Sequence, residues 1–401
     1  MTSRERVLAT LKHREPDRVP LDLGGTESSG LTGIAYNRLK KHLGLQVRRT
    51  EIFDVYQQVT KIEQDLRDII RPDTVPLLIE PRQWKPWPLP DGSPCLIPAG
   101  WNPHSEQNGE TVVRDAAGRV VARMPRGGYY FEPVLAPLAA VERPERLPRQ
   151  CDDIERFDWP SYADETVRSI GERAARLHRT TDLAVVANLQ LHLLAAGQIL
   201  RGYETFMMDL VANKPLAHAL LGRLTEAYMK RCDGYFAEVR GHVDVVLLND
   251  DLGTQSGPML SLDCYHEMIW PHQRRLFAHV KSSSGALLLF HSCGSVARFI
   301  PSLIEAGVDA LNPVQVSAAE MDTARLKRLY GRDISFWGGG CDTQAVLARG
   351  TRSAVQEEVR RRMDELSPGG GFVFTQVHNI QPDVPPANVM AMLEAFEACR
   401  G

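Results

Sequence analysis

The sequence predicts a (β/α)8 TIM barrel with a β-rich insertion at residues 81–160. Three observations predict it. Eight short β-forming runs alternate with helix-length segments, the runs are apolar almost throughout, and nearly all of them end on polar residues. A strand that is apolar on both faces is one covered on both faces, as in a parallel sheet flanked by crossover helices. Polar strand ends fit the C-terminal face of a barrel, where its chemistry resides. A doubly wound open sheet is the competing architecture, weakened by the absence of G-x-G-x-x-G after the first run.

In chain order the runs are RVPLDLGG (18–25), VPLLIE (75–80), DLAVVAN (182–188), DVVLLND (244–250), ALLLFH (286–291), DALNP (309–313), DISFWGG (333–339) and GFVFTQ (371–376). Segments such as TFMMDLVANKPLAHALLGRLTEAYMKRCDGYFAEV and AVQEEVRRRMDEL carry apolar residues at helical spacing between them. Residues 81–160 break the alternation. DGSP, DAAGRVVARM and PRGGYYF read as hairpins with turn signals, and LAPLAAVERPERLPRQCDDIERFDWP reads as an extended, Pro-rich connector. The whole chain, 1–401, reads as one barrel domain interrupted by that insertion.

Hydrophobic residues make up 43% and charged residues 24%, with a formal net charge of −3. This balance gives no electrostatic reason to expect nucleic acid or an anionic membrane as a partner. The charged N-terminus lacks a signal peptide's apolar core, and no window approaches the roughly 20 apolar residues of a membrane span. Seven cysteines without framework spacing point to a reduced, cytoplasmic protein. Cys95, Cys151, Cys232, Cys264 and Cys399 read as small apolar residues.

The strand ends carry the candidate chemistry: Gly24 to Glu27, Glu80, Asn188 and Gln190, Asn249 to Asp251, His291 with Cys293, Asn312 and Gln315, Gly338 to Cys341, and Gln376 with His378. His291 and Cys293 follow the fifth run and Cys341 the seventh, so one imidazole and two thiolates can converge on one mouth. That is a zinc set with a fourth position open for water or substrate. The glycines before Cys341 would let backbone approach the metal. Asp250 and Asp251 cannot both face the mouth, and Asp251, which starts the loop, is favoured. It could orient His291, act as fourth ligand or serve as a general base. His378 and Asn249 join it as catalytic candidates, and Asn188, Gln255, Gln315 and Gln376 as substrate-binding candidates.

HSCGS…LIEAGVDALNPVQ, FWGGGCDTQ and GGGFVFTQVHNIQPDVPPANV resemble the uroporphyrinogen decarboxylase superfamily, and within it the corrinoid-dependent methyltransferase branch. RERVLATLKHREPDRVPLDLGG is similar to that group's N-terminus. The resemblance covers essentially the whole chain, with 81–160 least typical, and itself implies a (β/α)8 barrel. The decarboxylases place an Arg-rich M-R-Q-A-G-R segment after the first strand, where this chain reads LDLGGTESSGLTG, with no arginine between Arg18 and Arg38. The methyltransferase branch is marked by His-x-Cys and a distant Cys that bind zinc, a pattern His291, Cys293 and Cys341 would fill.

The resemblance therefore implies a zinc-dependent methyltransferase that moves a methyl group between a small methylated substrate or thiol and the cobalt of a corrinoid. The chain shows no D-x-H-x-x-G signature of its own, so the corrinoid is expected on a partner protein. The tryptophans of the insertion (Trp84, Trp87, Trp101) could close over an aromatic or quaternary substrate, or simply pack the insertion. A metal-free decarboxylase or lyase on the same barrel is the alternative function, and a zinc-stabilised scaffold a third. A homodimer through the barrel loops or the insertion remains an open option.

Overall fold

A computed structural model of the chain describes residues 1–139, 153–159 and 161–401. Seven parallel strands lie side by side in chain order: Thr74–Leu77, Ala184–Asn188, Val245–Asn249, Leu287–His291, Ala310–Asn312, Ser335–Trp337 and Phe372–Val373. The eighth place belongs to 20–22. Leu21 bridges Phe374 in parallel, with the Asp22 N–H donating to the Phe374 carbonyl at 2.8 Å and the Phe374 N–H to the Pro20 carbonyl at 2.9 Å. On its other side, the Asp73 N–H donates to the Leu21 carbonyl at 2.7 Å. One extended segment thus joins both edges of the sheet and closes the predicted TIM barrel, leaving no free edge.

Alternate residues point inward, as the two-residue period of a strand requires. Ala184, Val186, Val245, Leu247, Leu289, Ala310, Trp337 and Val373 form an apolar cluster inside the barrel, joined by Val7 and Leu11. Those two come from the helix Ser3–Leu11, which plugs the N-terminal end and is capped by a Thr2/Glu5 capping box. Arg6 fixes the plug through ion pairs to Asp17 and Asp73, both at 2.7 Å. Continuing the alternation one step toward the C-terminal ends gives Asn188, Asn249, His291 and Asn312. The strand register therefore places a polar layer on top of an apolar one, and that layer floors the mouth.

The insertion begins with the hairpin Trp84–Pro88/Pro94–Pro98. An antiparallel sheet of Pro103–Ser105, Thr111–Arg114, Val120–Met124 and Glu132–Pro133 follows. Trp87 and Trp101 pack on a small cluster that the insertion shares with Ile34 and Ile52, and Trp101 stands edge-on to Phe131 at 5.4 Å between ring centroids. Trp84 lies under the Lys61 ammonium. These tryptophans pack the insertion and join it to Ile34, Ile52, Tyr56 and Lys61 outside it. Of the predicted connector, residues 140–152 and 160, with Cys151, lie outside the described residues. Among the described residues no helix is long and apolar enough to cross a membrane.

Candidate metal centre at the barrel mouth

His291, Cys293 and His378 bring one ligand atom each to within 4.8 Å of one another. Cys293 Sγ is 3.4 Å from His291 Nε2, and the two imidazole rings stand 5.6 Å apart at 68°. His291 is oriented by the neighbouring strand. Its Nδ1 lies 2.5 Å from Asn312 Oδ1, whose amide is fixed because Nδ2 donates to the Trp337 carbonyl at 2.9 Å. Facing a carbonyl-type oxygen, Nδ1 must carry the proton. The lone pair is then on Nε2, directed at Cys293.

The H-x-C spacing works because Ser292 turns the other way, its Oγ accepting the Leu252 N–H at 2.9 Å. Two neighbouring loops then clamp the turn. The Cys293 N–H donates to Asp251 Oδ1 at 2.8 Å, and the Gly294 N–H to Gln315 Oε1 at 2.8 Å. Gly294 has φ +84°, and a Cβ there would stand 2.4 Å from the Gly253 backbone, so only glycine lets these loops cross.

The side chain that joins His291 and Cys293 in the structure is His378 and not Cys341. Cys341 is fully buried, and its Sγ lies 3.6 Å from Glu358 Oε2. The Cys341 carbonyl accepts the Val377 N–H at 2.9 Å, so the two segments run side by side, yet it is His378 that turns inward. The glycines before Cys341 serve packing: a Cβ on Gly338 would meet the Pro313 carbonyl oxygen at 2.2 Å, and one on Gly340 the Phe374 ring at 2.5 Å.

The two adjacent carboxylates have different surroundings. Asp250 is buried and accepts the N–H groups of Leu193, Leu194 and Ala195 at 2.8–3.0 Å, capping the helix Leu194–Arg201, and Gln273 Nε2 at 3.1 Å. Asp251 is half-exposed and lies 3.8 Å from His291 Nε2. The amide candidates divide by task. Gln255 and Gln315 bond each other at 2.7 Å and brace the Cys293 turn, and Gln376 donates to the Ser29 carbonyl at 3.0 Å. These three hold loops. Asn188 and Asn249 lie on the floor, each with a buried Oδ1 that has no partner among the described residues.

Two residues at the site carried no signal in the reading of strand ends. His192 lies two residues beyond Gln190, and burial lowers its pKa to about 4, with Asp251 and His291 close by. Tyr130 comes from the insertion; its hydroxyl donates to Asn379 Oδ1 at 2.8 Å and accepts from Gln381 Nε2 at 2.6 Å. It ties the insertion to the loop that carries His378.

Glu27, in the loop 24–30, is a buried carboxylate. Burial, reinforced by Asp54, pushes Glu27 up to about 7. An acid whose folded pKa exceeds its unfolded value binds protons more tightly when folded, so its contribution to stability falls as pH rises. Glu27→Gln is therefore expected to gain stability relative to the wild type between about pH 4.5 and 7. Denaturant melts at both ends of that window check it, and a pH-independent difference would show that Glu27 is not desolvated.

The donor set fits zinc. Nitrogen and sulfur donors on a tetrahedral zinc stand about 3.6 Å apart, given bond lengths of about 2.0–2.1 and 2.3 Å, close to the 3.4 Å between His291 Nε2 and Cys293 Sγ. Imidazole and thiolate also favour zinc over the oxygen-seeking magnesium and calcium. Burial and Asp251 push the Cys293 thiol well above its usual range, so a cation is what would stabilise its thiolate. Because Asn312 sets the His291 tautomer, Asn312→Ala is expected to weaken zinc binding about 10- to 100-fold in a chelator competition. Unchanged affinity would mean that His291 needs no orienting partner.

Residues 142–399 match the family model described as Uroporphyrinogen decarboxylase (URO-D). The chain is 29% identical over 187 residues to a uroporphyrinogen decarboxylase of Rhodococcus opacus, covering 44% of this chain and 47% of that protein. It is 27% identical over 250 residues to one of Saccharopolyspora erythraea, covering 60% and 66%. The chain thus spans about half the length of the first of these relatives. Among solved structures it is similar to a methyltransferase from Methanosarcina mazei, with a TM-score of 0.64, 17% identity and 99% of both chains covered. At that identity the likeness speaks for the fold over the full length.

Proposed function

The chain belongs to the uroporphyrinogen decarboxylase family, and on that premise we propose that it is a zinc-dependent methyltransferase of the family. In this reading it moves a methyl group between a small methylated substrate or thiol and the cobalt of a corrinoid carried by a partner protein. The observation that carries the reading is the His291, Cys293 and His378 cluster at the C-terminal mouth. Three donors leave a fourth position for a ligand, the arrangement of catalytic zinc sites. The methyltransferase title of the full-length structural neighbour is in keeping with it.

Bound there, zinc would supply a Lewis acid that lowers the pKa of a coordinated thiol or polarises the heteroatom of a methylated donor. The protein's own groups do the rest. Asn312 holds His291 as the Nδ1–H tautomer, Asp251 anchors the Cys293 turn, and Tyr130 draws the insertion over the mouth. Asp251 is also the half-exposed base beside the ligands, able to take a proton from an incoming group. Asp251→Asn keeps an oxygen for the Cys293 N–H. It is expected to retain zinc while turnover falls about 10- to 100-fold; full turnover would reduce Asp251 to a rim residue.

The names of the curated relatives favour a second reading, decarboxylation of a porphyrinogen. Against it stands the loop 24–30, which carries Glu27 near the buried Asp54 where a polycarboxylate would need cations. The test is an anaerobic assay of the zinc-loaded protein with reduced cobalamin and a panel of methyl donors, and with methylcobalamin and thiols, followed by the cobalt spectrum. Methyl transfer with any pair supports the proposal. No transfer, together with CO2 release from a porphyrinogen, would replace it with the decarboxylase reading.

A further inference from the structure

The backbone around His378 is fixed on both sides of the residue. The Val377 N–H donates to the Cys341 carbonyl at 2.9 Å, and the Ile380 N–H to the Gly30 carbonyl at 2.9 Å. The Ile380 carbonyl in turn accepts the Thr32 N–H at 3.0 Å. What these bonds leave open is the rotation of the imidazole. His291 has Asn312 for that purpose, and a metal-ligating histidine ordinarily has such a partner. For His378 the hydrogen-bonding neighbour is the Asn379 side chain, acting as an acceptor.

Asn379 is 1% exposed, and its amide is gripped at both ends. Oδ1 accepts the Tyr130 hydroxyl at 2.8 Å and also Gln381 Nε2, while Nδ2 donates to Gln57 Oε1 at 2.7 Å. Gln381 Nε2 donates to the Tyr130 oxygen as well, at 2.6 Å, which closes a triangle of hydrogen bonds. The insertion is anchored here residue by residue. The Tyr129 carbonyl accepts Gln58 Nε2 at 2.7 Å, and the Phe131 N–H donates to the Tyr56 carbonyl at 2.7 Å. Tyr130 is thus held between two pinned neighbours, and its hydroxyl meets Asn379 from a segment outside the barrel's own strands and helices.

We propose that Tyr130 is a positioning residue of the metal centre: it fixes the Asn379 amide, which sets the ring of His378, so that the insertion helps to build the site. The inference rests on the reading of His378 as a metal ligand and extends it to a residue that brings no ligand atom of its own. Removing the hydroxyl leaves the backbone bonds at Val377 and Ile380 in place and loosens the amide. An amide that has lost this grip can turn its NH2 to the ring in place of its oxygen, and a donor there cannot hold an imidazole N–H.

The test uses the full chain, loaded with zinc or with cobalt(II) as a coloured substitute at the same site. Tyr130→Phe is expected to lower zinc affinity about tenfold in a chelator competition and to shift the cobalt(II) ligand-field bands. The thiolate-to-cobalt band should persist, because Cys293 is untouched. Asn379→Ala should shift the ligand-field bands likewise, and adding Tyr130→Phe to it should change neither reading further. Lower affinity with unshifted bands would mark a general loosening and overturn the proposal. Unchanged affinity in Tyr130→Phe, or a full second loss in the double variant, would overturn it too. Should Tyr130→Phe fail to fold, Gln57→Leu releases the same amide from its other end and is read by the same two measurements. Wild-type protein that takes up neither metal would sink the metal-centre reading and this inference with it. Uptake by the wild type with no change in Tyr130→Phe would sink this inference alone.

Discussion

The purified protein is expected to carry about one zinc per chain. His291→Ala, Cys293→Ala and His378→Ala should each lose it, and Cys341→Ala should keep it. Elemental analysis of the four variants beside the wild type is the measurement. The expectation for the first three follows from their convergence within 4.8 Å and from the tautomer that Asn312 imposes on His291. The expectation for Cys341 follows from its thiol lying against Glu358, a carboxylate also held by Arg362 at 3.0 Å. Methyl transfer should vanish with the metal.

Folding should persist in the metal-free variants. The apolar cluster inside the barrel and the larger core around it are complete without the mouth, whereas removing a structural zinc unfolds its domain. Zinc lost from Cys341→Ala and kept in His378→Ala would restore the ligand set read from H-x-C and the downstream cysteine. Global unfolding of all three ligand variants would make the site structural.

Asp250→Ala should be the most destabilising single change near the site, by about 3–5 kcal/mol in denaturant melts. Its carboxylate meets three consecutive N–H groups at the start of the helix Leu194–Arg201, and Gln273 besides. Alanine would leave four buried donors without an acceptor in a place where solvent is nearly excluded, Asp250 being 1% exposed. Burial holds this group up at about 6, so near neutral pH it is ionised because those donors oppose the desolvation. A loss below about 1 kcal/mol would mean that water replaces the carboxylate. The neighbouring Asp251→Asn should leave stability nearly unchanged, so the two variants separate scaffold from chemistry within one dipeptide.

Much of this was legible in the chain. Eight apolar runs with helical crossovers determine a closed parallel barrel, because a strand buried on both faces has few other homes. Polar residues at the run ends locate the mouth, and H-x-C, which begins on the last residue of ALLLFH, locates two of the three clustered donors. Asp251 was separable from Asp250 by its place one residue further into the loop.

Other features depended on three dimensions. Whether Cys341 or His378 completes the cluster depends on which way each side chain leaves two segments that run side by side, and Gly338 and Gly340 are needed there for packing. The partner that fixes His291 is Asn312, 21 residues away and adjacent only through strand register. Tyr130 reaches Asn379 across 249 residues, and Glu27 reaches Gln190 across 163. Period and polarity are local properties, so the sequence by itself determined the strands, their burial and the end of the barrel at which chemistry collects. Side-chain direction and long-range pairing are set by closure of the ring, so only the tertiary structure decided which donors meet and which carboxylate caps a helix.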